Sequence, residues 1–377
     1  MSDLVAIRGP AAAIPKEARP NLRDLAAEDL AALVAELGLP RYRGDQIFAW
    51  IHARRAATFD VMSDLPAADR RRLAEVASLR RLEVDVALPA ADGTRKLRLL
   101  TMDGQRIESV LIPNEGRGYT LCISSQAGCA LTCAFCATQS LGFRRNLATW
   151  EIVDQVYQAQ DLLAADPRAA DDRWGPRITN LVFMGMGEPL HNYNQVKRAI
   201  GILTHPRGAA IAGRRITVSS AGLVPAIERF GREGLGREVG LAISLNATTD
   251  TVRDRVMPIN TRWNIATLLA ALRELPGHRR RLLTFEYVLL ADVNDSDEDA
   301  DRLVDLVGSM RAQINVIPFN PHPHAPFARP SARRIAAFMD RCRRHGLLVY
   351  MRTPRGDDIG AACGQLALAG DRAAPPA

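Results

Sequence analysis

The sequence lacks the long apolar runs that membrane proteins and secretory precursors carry. No part of its 377 residues is apolar over the roughly 18 consecutive positions that a membrane span requires. The first residues include Asp3, Arg8 and Lys16, where a signal peptide would be apolar throughout. The sequence therefore predicts a cytoplasmic protein without a membrane partner.

Cysteine is scarce, with six residues in the whole chain, too few and too scattered for the disulfide framework of a secreted domain. Four of them nevertheless fall within one short stretch, CISSQAGCALTCAFC, and these are Cys122, Cys129, Cys133 and Cys136. In a reducing compartment such a group indicates metal binding or catalysis.

The triplet Cys129, Cys133 and Cys136 has no fourth ligand beside it. Structural zinc takes four ligands, usually as two pairs of Cys or His, and the nearest histidine downstream is His191. A [4Fe-4S] cluster held by three thiolates instead leaves one iron free for an exogenous ligand. The spacing Cys-x3-Cys-x2-Cys, directly after a predicted strand, therefore favours an iron-sulfur cluster.

Three kinds of pattern follow one another along the chain. Residues 20–80 show helical spacing of apolar residues, and residues 82–113 change to short alternating runs with turn signals at Asp92-Gly93 and Asp103-Gly104. After Tyr119, six short apolar runs alternate with amphipathic helices. Since crossovers between parallel strands are right-handed, this order predicts an α/β fold in which a parallel sheet forms a partial (β/α)6 barrel.

We expect four regions: a helical accessory domain over 1–81, a β-hairpin extension over 82–118, the barrel over 119–366 and a flexible tail over 367–377. Active-site residues should lie on loops at the carboxyl ends of the barrel strands.

The motif Cys-x3-Cys-x2-Cys resembles that of the radical S-adenosylmethionine superfamily, in which the free iron binds the amino and carboxylate groups of the cofactor. The resemblance implies that FMGMGEPL, after the second strand, holds the amino group through Gly187 and Glu188. Without the resemblance, FMGMGEPL would be interpreted as a tight turn. Further cofactor contacts carry over to Ser219, to Ser244, Leu245 and Asn246, and to Asn320.

Each of these residues follows a predicted strand, although Ser and Asn at such positions are also ordinary caps. Asn246 departs from the histidine expected at its position in many relatives.

Two further cysteines, Cys122 and Cys363, read alone as small buried apolar residues. Together with ESVLIP, CISSQAGC, MGMGEP, SLNA, INVIPFNP and RGDDIGAACGQL, they resemble the RlmN-type adenine carbon-2 methyltransferases. The resemblance spans Glu108 to Leu366, while the N-terminal helices match that family's accessory RNA-binding domain less specifically.

The resemblance implies a mechanism with two thiols. Cys363 accepts a methyl group from one cofactor molecule, and a deoxyadenosyl radical from a second removes a hydrogen atom from it. The methylene radical adds to carbon 2, and Cys122 attacks the Cys363 sulfur to release the methylated base and leave a disulfide. Glu108 is the implied general base, whereas without the resemblance it reads as a solvated glutamate on a strand.

The implied partners are 23S rRNA, transfer RNA and an electron donor such as flavodoxin, and we expect a monomer. The net charge of +7 also favours an anionic partner. Grouped arginines are candidates for phosphate contacts, although most charge runs are solvated faces: Arg41 and Arg43, Arg54 and Arg55, Arg70 to Arg72, Arg144 and Arg145, Arg214 and Arg215, Arg279 to Arg281.

Three alternatives stay open: methylation of carbon 8 of the same adenine, a zinc-binding or redox RNA adaptor without catalysis, and a radical activase that does not methylate. The adaptor and the activase leave Cys122 and Cys363 unexplained. We expect Cys342 to be a core or boundary residue, and His322 and His324 to belong to a proline-rich loop.

Overall fold

The structure, a computed structural model, describes residues 19–114, 116–170, 175–276 and 282–368. The predicted tail beyond residue 368 and the arginines 279–281 lie outside the described residues. The chain divides into two compact units. One comprises the described residues up to Arg81 together with Arg198–Ala210, and the other comprises Leu82–Lys197 and the described residues from Ile211 onward.

The first unit is helical, as its spacing of apolar residues predicts. Its three N-terminal helices are α1 (Ala27–Glu36), α2 (Tyr42–His52) and α3 (Ala67–Val76). Leu30 and Val34 of α1 and Ile47 of α2 are fully buried, since apolar residues three or four positions apart share one helix face.

The second unit begins with three antiparallel strands: β1 (Glu83–Pro89), β2 (Arg95–Leu100) and β3 (Arg106–Pro113). Gly93 and Gly104 adopt positive φ angles in the two turns between them, as the Asp-Gly pairs predict. The extension is thus a three-stranded meander rather than a single hairpin. β3 pairs antiparallel with β4 (Tyr119–Cys122), which joins the meander to the rest of the sheet.

The remainder of the unit alternates strands and helices. A small separate sheet pairs β5 (Gln126–Gly128) with β6 (Phe143–Asn146). The parallel sheet continues from β4 through β7 (Ile178–Phe183), β8 (Ile216–Ser220), β9 (Gly240–Ser244), β10 (Leu283–Leu289), β11 (Ala312–Pro318) and β12 (Leu348–Met351). The helices are α4 (Thr149–Ala164), α5 (Pro167–Ala170), α6 (Tyr193–Thr204), α7 (Val224–Arg232), α8 (Leu235–Glu238), α9 (Asp250–Val256), α10 (Ile265–Arg273), α11 (Asp297–Val307) and α12 (Ala332–Arg344). Residues 198–204 of α6 belong to the first unit.

Side-chain caps fix where several of these helices begin. The Asn264 carboxamide accepts a hydrogen bond from the Thr267 amide at the start of α10, and the Ser296 hydroxyl does the same for Asp299 at the start of α11. Such caps satisfy amides that the first turn of a helix leaves unpaired.

The α/β fold is confirmed, but within the described ranges the parallel sheet has seven strands rather than the six that the sequence predicts. The additional strand, β12, pairs only with β11 among the described strands, so the barrel stays open. Three of its four residues are about half exposed, as is common in a strand at the edge of a sheet. No helix in the described ranges is long and apolar enough to cross a membrane.

Candidate active site

A cavity lies at the carboxyl ends of the parallel strands, where the barrel rule places active sites. It brings together most of the predicted site residues with side chains from the far end of the chain. Its lining includes Cys129, Cys133, Cys136, Gly187, Glu188, Ser219, Ser244, Asn246, Glu286, Arg352 and Cys363. Leu245, Asn320, Cys122 and Glu108 do not line it.

The three predicted ligand cysteines lie on the loop between β5 and β6. Burial raises the pKa of the Cys129 thiol to about 12 and raises those of Cys133 and Cys136. Three neighbouring thiols in such surroundings lose their protons only when a cationic group compensates the charge, as iron does. Among the described residues no three His, Cys, Asp or Glu side chains converge on a single metal ion. In a cluster each thiolate would bind a different iron, so the three cysteines need not converge on one ion.

Gln126, which the sequence patterns did not single out, joins the cysteine loop to the neighbouring strand end. Its Oε1 accepts hydrogen bonds from the amides of Ala130 (3.3 Å) and Glu188 (3.0 Å), and its Nε2 donates to Asn146 Oδ1 (2.8 Å). The sequence signal for this role is its position shortly before Cys129, the first cysteine of the triplet.

The stretch after β7 is shaped by contact with Gln126. Gly187 has a φ of 98°, and a Cβ atom there would lie 2.5 Å from the Gln126 Cβ. Glu188 is buried, and its two carboxylate oxygens accept hydrogen bonds from the amides of Leu190 (3.0 Å) and Ala221 (2.8 Å). Burial nevertheless raises its pKa to about 7. A buried carboxylate of this kind is stabilised by a cation, so the ammonium group of an amino acid fits the site.

The later strand ends contribute unequally. Ser219 and Ser244 line the cavity, whereas Leu245 is fully buried behind it. Asn246 lines the cavity in the left-handed region, with a φ of 54°, which asparagine tolerates better than most residues. Its Oδ1 accepts a hydrogen bond from the Val288 amide at 2.8 Å.

Asn320 lies behind the cavity, where its amide supports the segment that carries Cys363. Its Nδ2 donates to the Cys363 carbonyl at 3.0 Å, and its Oδ1 accepts from Arg329 Nη2 at 2.6 Å. A direct contact with a ligand in the cavity would require these bonds to be shared or broken.

The two remote cysteines are both free thiols on this side of the sheet. Cys122 ends β4 and is 7% exposed, and half-buried Cys363 lines the cavity. Burial, followed by the negative charge of Cys363, raises the pKa of Cys122 to about 12. The fold therefore brings residues 122 and 363 within electrostatic reach of each other.

Arg352, which follows β12, is a site residue that the sequence analysis missed. Its guanidinium lies 3.7 Å from a Glu286 carboxylate oxygen and donates to the Met184 sulfur at 3.0 Å. The negative charge of Cys363 is the main cause of its raised pKa. The apolar run of β12 was the signal that could have identified Arg352, because a residue that follows a parallel strand lies at the edge of the sheet where active sites form.

Glu108 is 1% exposed, so its reading as a solvated glutamate is wrong. Burial raises its pKa above the ordinary range, and the neighbouring Lys96 ammonium opposes that effect. Its Oε2 accepts a hydrogen bond from the Leu368 amide at 3.2 Å. Glu108 therefore contacts the C-terminal segment a few residues beyond Cys363.

The remaining candidates do not join the cavity. Cys342 is fully buried on α12, which confirms it as a core residue. His322 Nε2 lies 3.0 Å from the Phe135 carbonyl in a loop. Of the grouped arginines, Arg145 hydrogen-bonds to Asp103 and Glu151 within the protein.

Two family models, several known proteins and a crystal structure match this chain. The family model described as the ribosomal RNA large subunit methyltransferase N-terminal domain matches residues 20–79, and that of the radical SAM superfamily matches residues 123–304. The dual-specificity RNA methyltransferase RlmN of Anaeromyxobacter dehalogenans is 46% identical over 93% of this chain and 92% of its own. The RlmN of Syntrophotalea carbinolica is 43% identical over 93% and 90%. A crystal structure of a radical SAM methyltransferase from Sphaerobacter thermophilus superposes with a TM-score of 0.85 at 42% identity, covering 92% of this chain and 98% of that one.

Proposed function

The chain belongs to the RlmN family of radical SAM enzymes, whose cofactors are a [4Fe-4S] cluster and S-adenosylmethionine, and we propose that it methylates carbon 2 of adenosine in 23S rRNA and transfer RNA. One observation carries the proposal. Cys363 lines the cavity together with three further cysteines, and Cys122, at the end of β4, lies within electrostatic reach of it. A cluster enzyme that does not form a covalent intermediate has no need of this second pair.

In this proposal Cys129, Cys133 and Cys136 bind the cluster. The buried carboxylate of Glu188 receives the amino group of S-adenosylmethionine beside Gly187, whose missing side chain leaves room for close approach. Ser219, Ser244 and Asn246 line the same cavity and contact the rest of the cofactor, Leu245 lies buried between the last two, and Asn320 holds the carbonyl of Cys363.

Cys363 is the methyl carrier. When bound, the cluster and S-adenosylmethionine supply a methyl group and a radical that abstracts hydrogen. The Cys363 thiolate would attack the methyl carbon with S-adenosylhomocysteine as the leaving group. The resulting S-methyl group would lose a hydrogen atom to the deoxyadenosyl radical before its carbon joins carbon 2 of the base. Arg352 lines the same cavity as Cys363, so a guanidinium is available beside the proposed methyl carrier.

Cys122 and Glu108 complete the reaction. Glu108 removes the proton from carbon 2, a role that suits a buried carboxylate whose pKa is raised. The unpaired electron left on the adduct would return to the cluster that Cys129, Cys133 and Cys136 would hold, so that the adduct is closed-shell before it is resolved. The Cys122 thiolate then attacks the Cys363 sulfur, the carbon–sulfur bond breaks, and the departing methylene takes up a proton to become the methyl group. Two electrons from an external dithiol reduce the disulfide before the next turnover.

The substrate must present an unstacked base, because the cavity lies within the barrel at its strand ends. Single-stranded loops or flipped nucleotides meet this requirement. The net charge of +7 favours RNA. We further propose that the enzyme acts as a monomer in the cytoplasm and receives electrons from a donor such as flavodoxin.

The test is mass spectrometry of nucleosides from 23S rRNA fragments and transfer RNA after anaerobic incubation with reconstituted enzyme, S-adenosylmethionine and a reductant. We expect 2-methyladenosine from both RNAs. 8-Methyladenosine would place the chain with the carbon-8 enzymes. S-Adenosylmethionine cleavage without any methylated nucleoside would indicate an activase, and metal binding without cleavage would indicate an adaptor.

A further inference from the structure

Arg253 is a fully buried cation on α9 whose hydrogen bonds all go to neutral oxygens. Its Nε donates to the Leu245 carbonyl (2.9 Å), and its Nη2 donates to the carbonyls of Ala221 (2.8 Å) and Ser244 (3.0 Å). Its Nη1 donates to the Asn260 carboxamide at 2.9 Å. Burying a guanidinium in this way is costly unless something compensates its charge.

The three carbonyls belong to two neighbouring strand ends of the candidate active site. Ala221 follows β8, and Ser244 and Leu245 lie at the end of β9. One side chain therefore holds together the strand ends that present the proposed cofactor contacts. The approach is close, since Gly222 has a φ of 110° and a Cβ there would lie 3.3 Å from Arg253 Nη2.

The same helix also holds the cysteine loop. The carbonyl of Val256, the last residue of α9, accepts a hydrogen bond from the Ala134 amide at 2.9 Å. Val256 and Met257 also belong to an apolar cluster against which Leu131 and Cys133 pack. The helix that carries Arg253 is thus in direct contact with the loop that binds the cluster.

The charge of Arg253 is balanced only indirectly. Asn260 Nδ2 donates to Asp250 Oδ1 (3.0 Å) and Asp254 Oδ1 (2.7 Å), so an amide separates these carboxylates from the guanidinium. Burial lowers the pKa of Arg253 to about 10, which leaves it charged at neutral pH, and a negative charge on Cys133 raises it. A buried cation of this kind favours additional negative charge nearby.

We propose that Arg253 is a positioning residue that fixes the cofactor-binding ends of β8 and β9, and that its charge stabilises the reduced, more negative state of the cluster. The inference rests on the proposed function in one respect, the assignment of Cys129, Cys133 and Cys136 as cluster ligands.

The test uses the full chain after anaerobic reconstitution. The midpoint potential of the cluster is measured by a redox titration followed by electron paramagnetic resonance, and the affinity for S-adenosylhomocysteine by calorimetry. Arg253→Met should make reduction at least about tenfold less favourable, a shift of about 59 mV to lower potential for one electron. It should also weaken S-adenosylhomocysteine binding about tenfold, because the strand ends lose their common donor.

Two matched carboxylate variants separate charge from structure. Asp254→Asn removes an exposed negative charge from the Arg253 network and should shift the potential upward, opposite to Arg253→Met. Asp340→Asn removes an exposed carboxylate on α12 that pairs with Arg343, and it should leave the potential unchanged. If Arg253 only maintained the fold, Arg253→Met and Asp254→Asn would not shift the midpoint potential in opposite directions.

Arg253→Lys, which keeps the charge and loses the fork of donors, should retain the potential and still bind S-adenosylhomocysteine more weakly. The proposal is overturned if Arg253→Met keeps the wild-type potential and affinity, or if Asp254→Asn fails to raise the potential. Should Arg253→Met not fold, the Asp254→Asn and Arg253→Lys results decide. A wild-type protein that takes up no cluster would instead contradict the ligand assignment.

Discussion

Lys96 Nζ lies 3.4 Å from Glu108 Oε1, and both side chains are almost completely buried on the neighbouring strands β2 and β3. Lys96 also donates to the Gly360 carbonyl at 3.3 Å, while Glu108 accepts from the Leu368 amide at 3.2 Å. The pair therefore holds the C-terminal segment on both sides of Cys363. It links the charge of the proposed general base to the position of the proposed methyl carrier.

We predict that Lys96→Met shifts the acid limb of the pH–rate profile to higher pH. Burial raises the pKa of Glu108 and Lys96 lowers it, so loss of the cation raises that pKa further. The carboxylate form, which accepts the proton, then forms only at higher pH. Methylation should fall about tenfold more at a pH of about 6 than at about 9.

Lys197→Met is the control for this prediction, since it removes an exposed lysine that pairs with Glu233. Its profile should match that of the wild-type protein. An equal loss of rate at every pH in Lys96→Met would show that Lys96 acts through geometry alone.

The two remote thiols should give opposite results when each is replaced. Cys122→Ala leaves the methyl carrier in place and removes the resolving thiol, so a covalent protein–RNA adduct should accumulate. Cys363→Ala should form no adduct and acquire no methyl group. Denaturing electrophoresis after anaerobic incubation with RNA and S-adenosylmethionine distinguishes them. Turnover of Cys122→Ala at the wild-type rate without retained RNA would contradict the two-thiol mechanism.

The metal centre should depend on three cysteines and not on a fourth. Reconstituted protein should carry about four irons and four sulfides per chain. Replacing Cys129, Cys133 or Cys136 by Ala should abolish this content. Cys342→Ala, a change in the core of α12, should retain the iron and lose only about 1 kcal/mol of unfolding free energy. Stoichiometric zinc in protein kept anaerobic throughout would refute the cluster.

Gly187→Ala should impair cofactor binding without removing any polar group. A positive φ costs an L-residue about 1 to 2 kcal/mol, and the new methyl group would also overlap Gln126, which holds both Glu188 and the cysteine loop. We expect at least about a tenfold loss of S-adenosylhomocysteine affinity by calorimetry. Gly201→Ala is the matched control, because a Cβ there meets nothing within 4 Å. Equal affinity of the two variants would mean that the backbone at Gly187 can adjust.

Much of this architecture is expressed in local patterns. Helical spacing indicates α1 to α3, the Asp-Gly pairs indicate both turns of the meander, and the spacing of Cys129, Cys133 and Cys136 indicates a cluster loop. These features depend on neighbouring residues, through hydrogen bonds and side-chain periodicity that span a few positions. The joint role of Cys122 and Cys363 stays a prediction that comes from the family resemblance, because no local pattern connects residues so far apart.

Other features were decided only by the tertiary structure. Strand β12 is an apolar run of only four residues that was not interpreted as a strand, and Arg352, which follows it, was missed with it. Glu108, Lys96 and Arg253 are ordinary charged residues in the sequence, and only the folded structure shows that each of them is buried. The sequence by itself determined which side chains and local elements were available. The fold determined which charged side chains are removed from water. This burial shifts their pKa values and increases the energetic contribution of their hydrogen-bond and charge partners.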